Sequence, residues 1–451
     1  MLLFGTKEDN KLKKKIRWIS IFTGLVAVVY LTVFLCNSFL LKRDSASFLP
    51  IHEIQERSDV EVVFIGSSLV RNGINPDIVN RETGLVCFDL GIPGMKLPGV
   101  ETCIHFIAKK NKPRYIIVAT EPDVFTVGIS AETNMIERIW PNLETPMERL
   151  MFYLDLCKRN GTWIESALIF QQDMVKTLED LKKVLQISVM PDYYAEEIHV
   201  KNPSVRYDGK GFLRVLVDEK PEHKLTHEYH RWNGDKFKGL DYTVKKRLKS
   251  IKQECDALNA KMVLMIPPTH SLNIVSYPYD MNLLDAVQMI CAEENIPYWN
   301  FRKTRRGVWP DLDDCFYDLG HLSGTGADMF SEALGQYMKT YIETGTVPDV
   351  FYDSWEEYLK DTRLLNAWMD FVYEENTIRI VAGCNGGTDI CPEYQFSVYD
   401  NGTEIILQDY LENGNELVVN VDSVSGKNMK VMVRDKNRPD DKEVYYECVC
   451  M

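Results

Sequence analysis

The sequence predicts an α/β protein: a parallel sheet with helices on both faces, preceded by an N-terminal apolar helix and followed by a small β-sandwich-like domain. Three observations predict it. Short apolar runs at 61–66, 86–91, 115–119, 261–266 and 296–299 alternate with stretches of helical periodicity. That alternation builds βαβ units, and near-continuous apolarity suits strands buried on both faces. Residues 18–41 contain no Asp, Glu, Lys, Arg or His. From residue 377 onward the helical period disappears and turn signals separate short strand-like runs.

The chain has 451 residues, enough for two or three domains. Its balance of 45% hydrophobic and 26% charged residues excludes disordered and collagen-like classes. Net charge is −14, which argues against nucleic acid as a partner. The first 17 residues run the other way, with six basic groups against Glu8 and Asp9. A basic head followed by 24 uncharged residues reads as a membrane anchor. As a helix it covers about 36 Å, enough for a hydrocarbon core of about 30 Å. The charge asymmetry puts residues 1–17 in the cytoplasm and the body outside the cell membrane, a single-pass topology. A cleaved signal peptide is the competing reading, with Ser45-Ala46-Ser47 as its cleavage-like site, but its apolar region is typically shorter. Cys36 lies inside the span and is expected to pack within the membrane.

The body, 45–345, is expected to hold the parallel sheet, with helices at 100–110, 242–258, 283–294 and 325–341. Between the third and fourth strands lie far more residues than one crossover helix needs, so about 130–235 reads as an insertion. Its first half is expected to be helical (145–156 and 166–186). Its second half, through Tyr207-Asp208-Gly209-Lys210-Gly211, is expected to be loop. Residues 346–369 read as a linker with a short helix or turn, and 370–451 as the β-rich domain. Asp400-Asn401-Gly402 between alternating runs signals a hairpin.

Eleven cysteines in an extracytoplasmic protein leave disulfides, zinc and free thiols all open. Six are scattered singly: Cys87, Cys103, Cys157, Cys255, Cys291 and Cys315. Cys384, Cys391, Cys448 and Cys450 cluster near the C-terminus without zinc spacing. His223, His227 and His230, and Asp311, Asp313 and Asp314, read as polar surface or loop groups rather than metal ligands, so neither metal nor other cofactor is expected.

Chemistry concentrates at the ends of the strands. Gly66-Ser67-Ser68 follows the first strand, where open α/β sheets bind ligands. Either serine also suits a helix N-cap. Asp318-Leu319-Gly320-His321 precedes the last helix, and its acid can orient the imidazole while the other ring nitrogen meets a nucleophile. Thr269-His270 follows the fourth strand at the same edge.

Taken together these blocks resemble the SGNH/GDSL hydrolase superfamily, whose fold is a three-layer αβα, flavodoxin-like domain. The resemblance covers about 58–345 and implies Ser68 as nucleophile, His321 as general base and Asp318 as its orienter. Leu90-Gly91-Ile92-Pro93-Gly94-Met95 is similar to the second block and implies an oxyanion hole from the Ser68 and Gly94 amides. The third block departs: Ala119-Thr120-Glu121-Pro122-Asp123 has no Asn, so one oxyanion donor is missing or comes from elsewhere, such as Asn72. Gly73-Ile74-Asn75-Pro76 and the run from Asp318 to Ala327 resemble membrane-anchored proteins of the DltD and alginate-acetylation type. That narrower resemblance implies an O-acyltransferase or esterase acting on acyl groups of cell-envelope polysaccharide, with a membrane-bound O-acyltransferase as partner. The alternative is a non-catalytic scaffold of the same fold that binds polysaccharide or organises an acylation complex.

Overall fold

The computed structural model describes residues 7–40, 45–126, 138–143, 145–160, 191–216, 240–309 and 313–450. The chain enters through α1 (Lys7–Leu40) and α2 (Ser45–Glu56). Then come β1 (Val62–Gly66), α3 (Ser68–Gly73), α4 (Pro76–Thr83), β2 (Cys87–Gly91), α5 (Leu97–Ile107) and β3 (Tyr115–Ala119). The insertion supplies α6 (Pro146–Asn160), α7 (Pro191–Lys201), β4 (Val205–Gly209) and β5 (Phe212–Val215). The domain resumes with α8 (Val244–Ala257), β6 (Lys261–Ile266), α9 (Ser271–Ser276), α10 (Pro278–Glu293), β7 (Tyr298–Asn300) and α11 (Gly324–Thr344).

Five parallel strands form one sheet in the order β2-β1-β3-β6-β7. Counting parallel strands alone this is 2-1-3-4-5, the flavodoxin-like order, which reverses direction between β1 and β3. Alternation along each strand feeds two cores. Val63, Ile65, Ile116 and Leu264 pack against α5, α8 and α10. Val62, Phe64, Ile117 and Val263 pack against α4 and α11. Both faces are therefore covered, which is why the strands carry almost no polar residue.

Gly66 fixes how the central strand ends. A Cβ there would lie 1.8 Å from the Ala119 carbonyl oxygen and 2.5 Å from Val70 Cγ2. The insertion is pinched at its neck by a bridge between Thr126 and Leu240 and by the Asp241 N–H donating to the Phe125 carbonyl at 2.8 Å. Residues 205–215, expected to be loop, instead form a hairpin. Gly209, Lys210 and Gly211 all have positive φ and make its turn, while Phe212, Leu213 and Val215 bury their side chains. The turn docks on edge strand β2: the Asp89 N–H donates to the Lys210 carbonyl at 2.9 Å, and a Cβ on Gly211 would sit 1.6 Å from the Asp89 oxygen. Helix α7 also lies where loop was expected. The expected helix at 166–186, His223, His227 and His230, and Asp311 fall outside the described residues.

After α11, helix α12 (Trp355–Asp361) packs Trp355 into the α/β core, its indole donating to the Met281 carbonyl at 3.1 Å. The β domain holds β8 (Asn366–Tyr373), β9 (Thr377–Asn385), β10 (Pro392–Asp400), β11 (Thr403–Glu412), β12 (Glu416–Asn420), α13 (Val421–Val424), β13 (Asn428–Asp435) and β14 (Val444–Val449). Sheets β11-β10-β13-β14 and β12-β9-β8 enclose a core of Ile378, Ile380, Phe396, Val431 and Val433, a sandwich. Asn401 and Gly402, both at positive φ, make the hairpin turn between β10 and β11. The domain starts earlier than residue 370, because Ala367 and Met369 of β8 already point inward. The ten cysteines described are free thiols, the C-terminal four included. Among the described residues no group of three or more His, Cys, Asp or Glu is arranged to hold a metal ion.

Helix α1 runs through the basic head and through residues 18–40 of the expected membrane span. Its described side chains are exposed, Trp18, Phe22 and Leu25 each by more than 60%. Among the described residues no helix is long and apolar enough to cross a membrane. The side chains of 33–40, Cys36 included, are not among those described.

A substitution at the end of β1 tests this packing. Gly66→Ala places a methyl group against fixed backbone rather than a flexible side chain, so it should cost at least about 2 kcal/mol, the middle of the usual range for overpacking. Urea denaturation of the wild type and the variant measures it. A difference below about 0.5 kcal/mol would show that the β1–β3 approach is not a close-packed constraint.

Candidate active site

Three elements bring the predicted residues together. Strand β1 ends at Gly66, and the chain turns at once into α3. Ser67 takes the N-cap: its Oγ accepts from the Leu69 N–H at 3.3 Å. The capping role is therefore filled by the buried serine, and the hydroxyl of the half-buried Ser68 is left for other work. The second element is the closed turn at 316–322, held by the Phe316–Leu322 bridge and by the Tyr317 N–H donating to the His321 carbonyl at 2.9 Å. The third is α11, which starts directly after that turn. Ser323 caps it, with its Oγ accepting from the Gly326 N–H at 3.1 Å. A Cβ at Gly326 would lie 1.9 Å from the Cys315 oxygen, and Ala327 is fully buried. The Gly-Ala pair thus lets the helix approach closely enough to hold His321 in place.

The result is a chain of hydrogen bonds between residues far apart in sequence. Ser68 Oγ lies 2.8 Å from His321 Nε2. His321 Nδ1 lies 3.0 Å from both carboxylate oxygens of Asp318. A carboxylate only accepts, so Nδ1 carries the proton and the Nε2 of the neutral ring accepts from Ser68. Asp318 Oδ1 also accepts from the Gly320 and His321 backbone N–H groups, each at 2.7 Å. Partial burial works to raise the Asp318 carboxyl. The hydrogen bond and charge of the His321 ring, with the His321 and Gly320 amides, outweigh it and hold the group below its ordinary value.

These residues open onto a cavity of about 400 Å³. Ser68, Asp318 and His321 line it on the sheet side with Arg71 and Asn72. The insertion also lines it through Ile198, Lys201, Ser204, Leu213 and Val215, as does Ala46 of α2. Asn72 reaches the cavity, and its Nδ2 donates to the Leu213 carbonyl at 2.8 Å. Gly94 adopts positive φ in the loop after β2 and is not among the residues lining the cavity. The Ser68 N–H, at the first position of α3, has no acceptor among the described residues. Asp123 pairs with Lys96 at 2.6 Å and stays off the cavity wall. Beneath Ser67 sits Glu121, whose carboxyl is raised by burial and by Asp123, against the opposing effects of a Ser67 hydrogen bond, Lys96 and Arg302. His270 is a structural cap: its Nδ1 accepts from the Leu272 N–H at 3.1 Å, and its backbone N–H donates to the Leu319 carbonyl at 3.0 Å, bracing the 316–322 turn. Thr269 lines a different cavity.

Sequence reasoning missed Arg71, Lys201 and Ser204. Arg71 stands three residues after Ser68 on one helix, so the same-face rule could have found it. Nothing local signals Lys201 and Ser204, which reach the site only because the insertion folds back.

No family model and no curated protein matches the chain. Among solved structures it is similar to a lipase/acylhydrolase from Enterococcus faecalis, at 11% identity and a TM-score of 0.30, covering 62% of this chain and 96% of that one. It is also similar to an endo-beta-1,4-mannanase from Thermotoga petrophila, at 10% identity and a TM-score of 0.16, covering 90% and 94%. Both likenesses are too low to carry an argument, so the functional reading rests on the site itself.

The lowered carboxyl of Asp318 has a testable pH signature. A group that titrates lower when folded contributes fully above its unfolded value of about 3.9, and the contribution vanishes as pH falls through the folded value. The stability gap between wild type and Asp318→Asn should be widest near neutral pH and close toward pH 2. Denaturant titrations across that range read it, and a gap that widens on acidification would contradict the assignment.

Proposed function

We propose that this chain is a membrane-anchored, extracytoplasmic O-acyltransferase or esterase of SGNH-like architecture that works through an acyl-enzyme on Ser68. The observation that carries the reading is the 2.8 Å contact of Ser68 Oγ with His321 Nε2, on a ring whose other nitrogen is held by Asp318. A nucleophile, a base and an orienter in hydrogen-bond sequence on a cavity wall are the minimum equipment for acyl transfer.

The steps follow from the geometry. Ser68 Oγ attacks the carbonyl carbon of an acyl ester while His321 Nε2 takes its proton. The developing imidazolium is stabilised by the ionised Asp318. The oxyanion is met by the Ser68 N–H, with the Asn72 side-chain amide on the cavity wall as a second donor. Collapse of the tetrahedral intermediate breaks the ester bond, and His321 returns the proton to the leaving alkoxide, leaving acyl-Ser68. A second hydroxyl, from water or a sugar, is then deprotonated by His321 and attacks the acyl carbon, restoring Ser68. Water makes the protein an esterase and a sugar hydroxyl makes it a transferase. Cell-envelope polysaccharide is the acceptor or substrate class this reading favours, with a membrane-bound acyltransferase as its donor-side partner.

A second reading is a scaffold of the same fold without turnover. The segment after β3 favours it: where an oxyanion-donating Asn is expected stand Glu121 and an Asp123 engaged with Lys96. Incubation with an activated acetyl ester separates the two. The catalytic reading expects a mass gain on the peptide containing Ser68, lost in Ser68→Ala. Ser68→Ala and His321→Ala should each lower turnover by about 10⁴–10⁶, and the double variant should be hardly worse than either. An unlabelled Ser68 together with unchanged cellular function in Ser68→Ala would establish the scaffold. For a labelled enzyme, deacylation accelerated by polysaccharide marks a transferase.

The anchor is supported by the uncharged run at 18–41 and by the exposed apolar side chains of α1. Helix α2 begins at Ser45, and Ala46 already lines the catalytic cavity, so a membrane-embedded α1 sets the site close to the bilayer surface. The full chain should co-sediment with phosphatidylglycerol-containing vesicles and resist extraction by high salt, while residues 45–451 should stay in the supernatant. Release of the full chain by salt would reject the anchor.

A further inference from the structure

A second cavity, of about 390 Å³, lies where the α/β domain meets the β sandwich. It is built from the segment after β6 and the start of α9, the segment after β7, and the chain around α12. It shares no lining residue with the Ser68 cavity. Its walls carry the arginines Arg302, Arg305, Arg306 and Arg363, and Asp361 is the one acidic side chain among them. Just outside, Asp280, Asp349 and Asp441 pair with Arg302, Arg305 and Arg306, so formal charge is largely balanced. What remains unbalanced is hydrogen-bonding capacity.

Arg302 has a side chain only 5% exposed. Its guanidinium makes one hydrogen bond among the described residues, from Nη1 to Asp280 Oδ2 at 3.3 Å, and its Nε has no partner. Arg305 lies over the Tyr352 ring at 5.3 Å and donates from Nη2 to Asp349 at 3.2 Å, again with Nε unpartnered. Thr269, 4% exposed, has an Oγ1 without a partner. A guanidinium offers five donors in a fixed fork that matches carboxylate and phosphate oxygens. Buried donors left unmade are costly, and here several of them border one cavity. The volume is more than ten times the ~30 Å³ share of one water and falls in the small-molecule range. Trp309, Tyr352 and Tyr358 add an apolar wall against which the C–H face of a ring can lie.

We infer that this cavity binds an anionic sugar, a monosaccharide-sized unit whose carboxylate or phosphate meets Arg302 and Arg305 and whose hydroxyl meets Thr269. The site goes beyond acyl transfer and does not depend on Ser68. Arg438 crosses from the β domain to donate to the Asp361 and Thr362 carbonyls at 3.0 Å, so the ligand would sit beside the contact between the domains.

Calorimetric titration of the purified full-length protein tests it with glucuronate, glucose 1-phosphate, glucose and inorganic phosphate. At least one anionic sugar should bind with a Kd below about 1 mM, and glucose and inorganic phosphate at least tenfold more weakly. The stronger of the two sugars identifies the preferred oxyanion. Arg305→Gln, at a partly exposed position, and the near-isosteric Thr269→Val should each weaken binding at least threefold and keep the unfolding midpoint of the wild type. Failure of both anionic sugars to bind, inorganic phosphate binding as tightly as they do, or variants binding like the wild type would each overturn the site. Ser68 labelling on the same preparation keeps the two readings apart: loss of label with sugar binding intact counts against acyl transfer alone.

Discussion

The Ser68 edge of the sheet hangs from the point where β1 ends. Gly66 is wedged between β2 and β3, paired with Gly91 on one side and Ala119 on the other. Any side chain there would drive into the Ala119 carbonyl. Because the strand can run this close to its neighbours, the turn that follows is fixed against the sheet. Ser67 is turned inward as a cap and Ser68 outward to the cavity. The reversal of strand order beside β1 opens the crevice into which that hydroxyl projects.

The same tight packing governs how the distant pieces reach the edge. Asn75 caps α4 ahead of Pro76 and donates from Nδ2 to Asp328 of α11 at 2.8 Å. Asp328 in turn receives both terminal nitrogens of Arg214 from β5, at 2.8 and 2.9 Å. Arg214 also donates to the Gly324 carbonyl at 3.1 Å. One bidentate, partly buried pair therefore joins the insertion hairpin to the helix that follows His321. Together with the Lys210 turn on β2, it seats Leu213 and Val215 on the cavity that Ser68 lines. The insertion lines part of the cavity, and it is seated by these polar contacts together with apolar ones: Phe212 joins the α/β core, and Ile198 and Leu213 pack with Phe48 and Leu49 of α2.

Electrostatically the two ends of the site differ. Asp318 keeps its charge because amides and the imidazole face it. Glu121, below Ser67, is pushed toward its neutral form by burial. Arg302, fully buried, is lowered by desolvation against the pull of Asp280 and Glu121. Arg302 thus links the polar layer under the Ser67–Ser68 turn to the second cavity, which it also lines.

The sequence by itself determined the α/β class, all five parallel strands to within a residue or two, the sandwich hairpin at Asn401-Gly402, and the two short blocks whose Ser68, Asp318 and His321 the fold brings into contact. Each depends on local signals: continuous apolar runs, turn residues that tolerate positive φ, and short motifs whose spacing is itself the chemistry. Only the tertiary structure decided which serine caps and which faces the imidazole, that Gly94 stays off the cavity wall, and that residues 205–215 form a hairpin. It also decided that β8 begins at Asn366, where the inward alternation of Ala367 and Met369 is too short to read locally. Lys201, Ser204 and the arginine-lined junction were invisible for a physical reason. Their roles come from contacts between segments that no periodicity connects, and a hydrogen bond across hundreds of residues leaves no trace in either partner's neighbourhood.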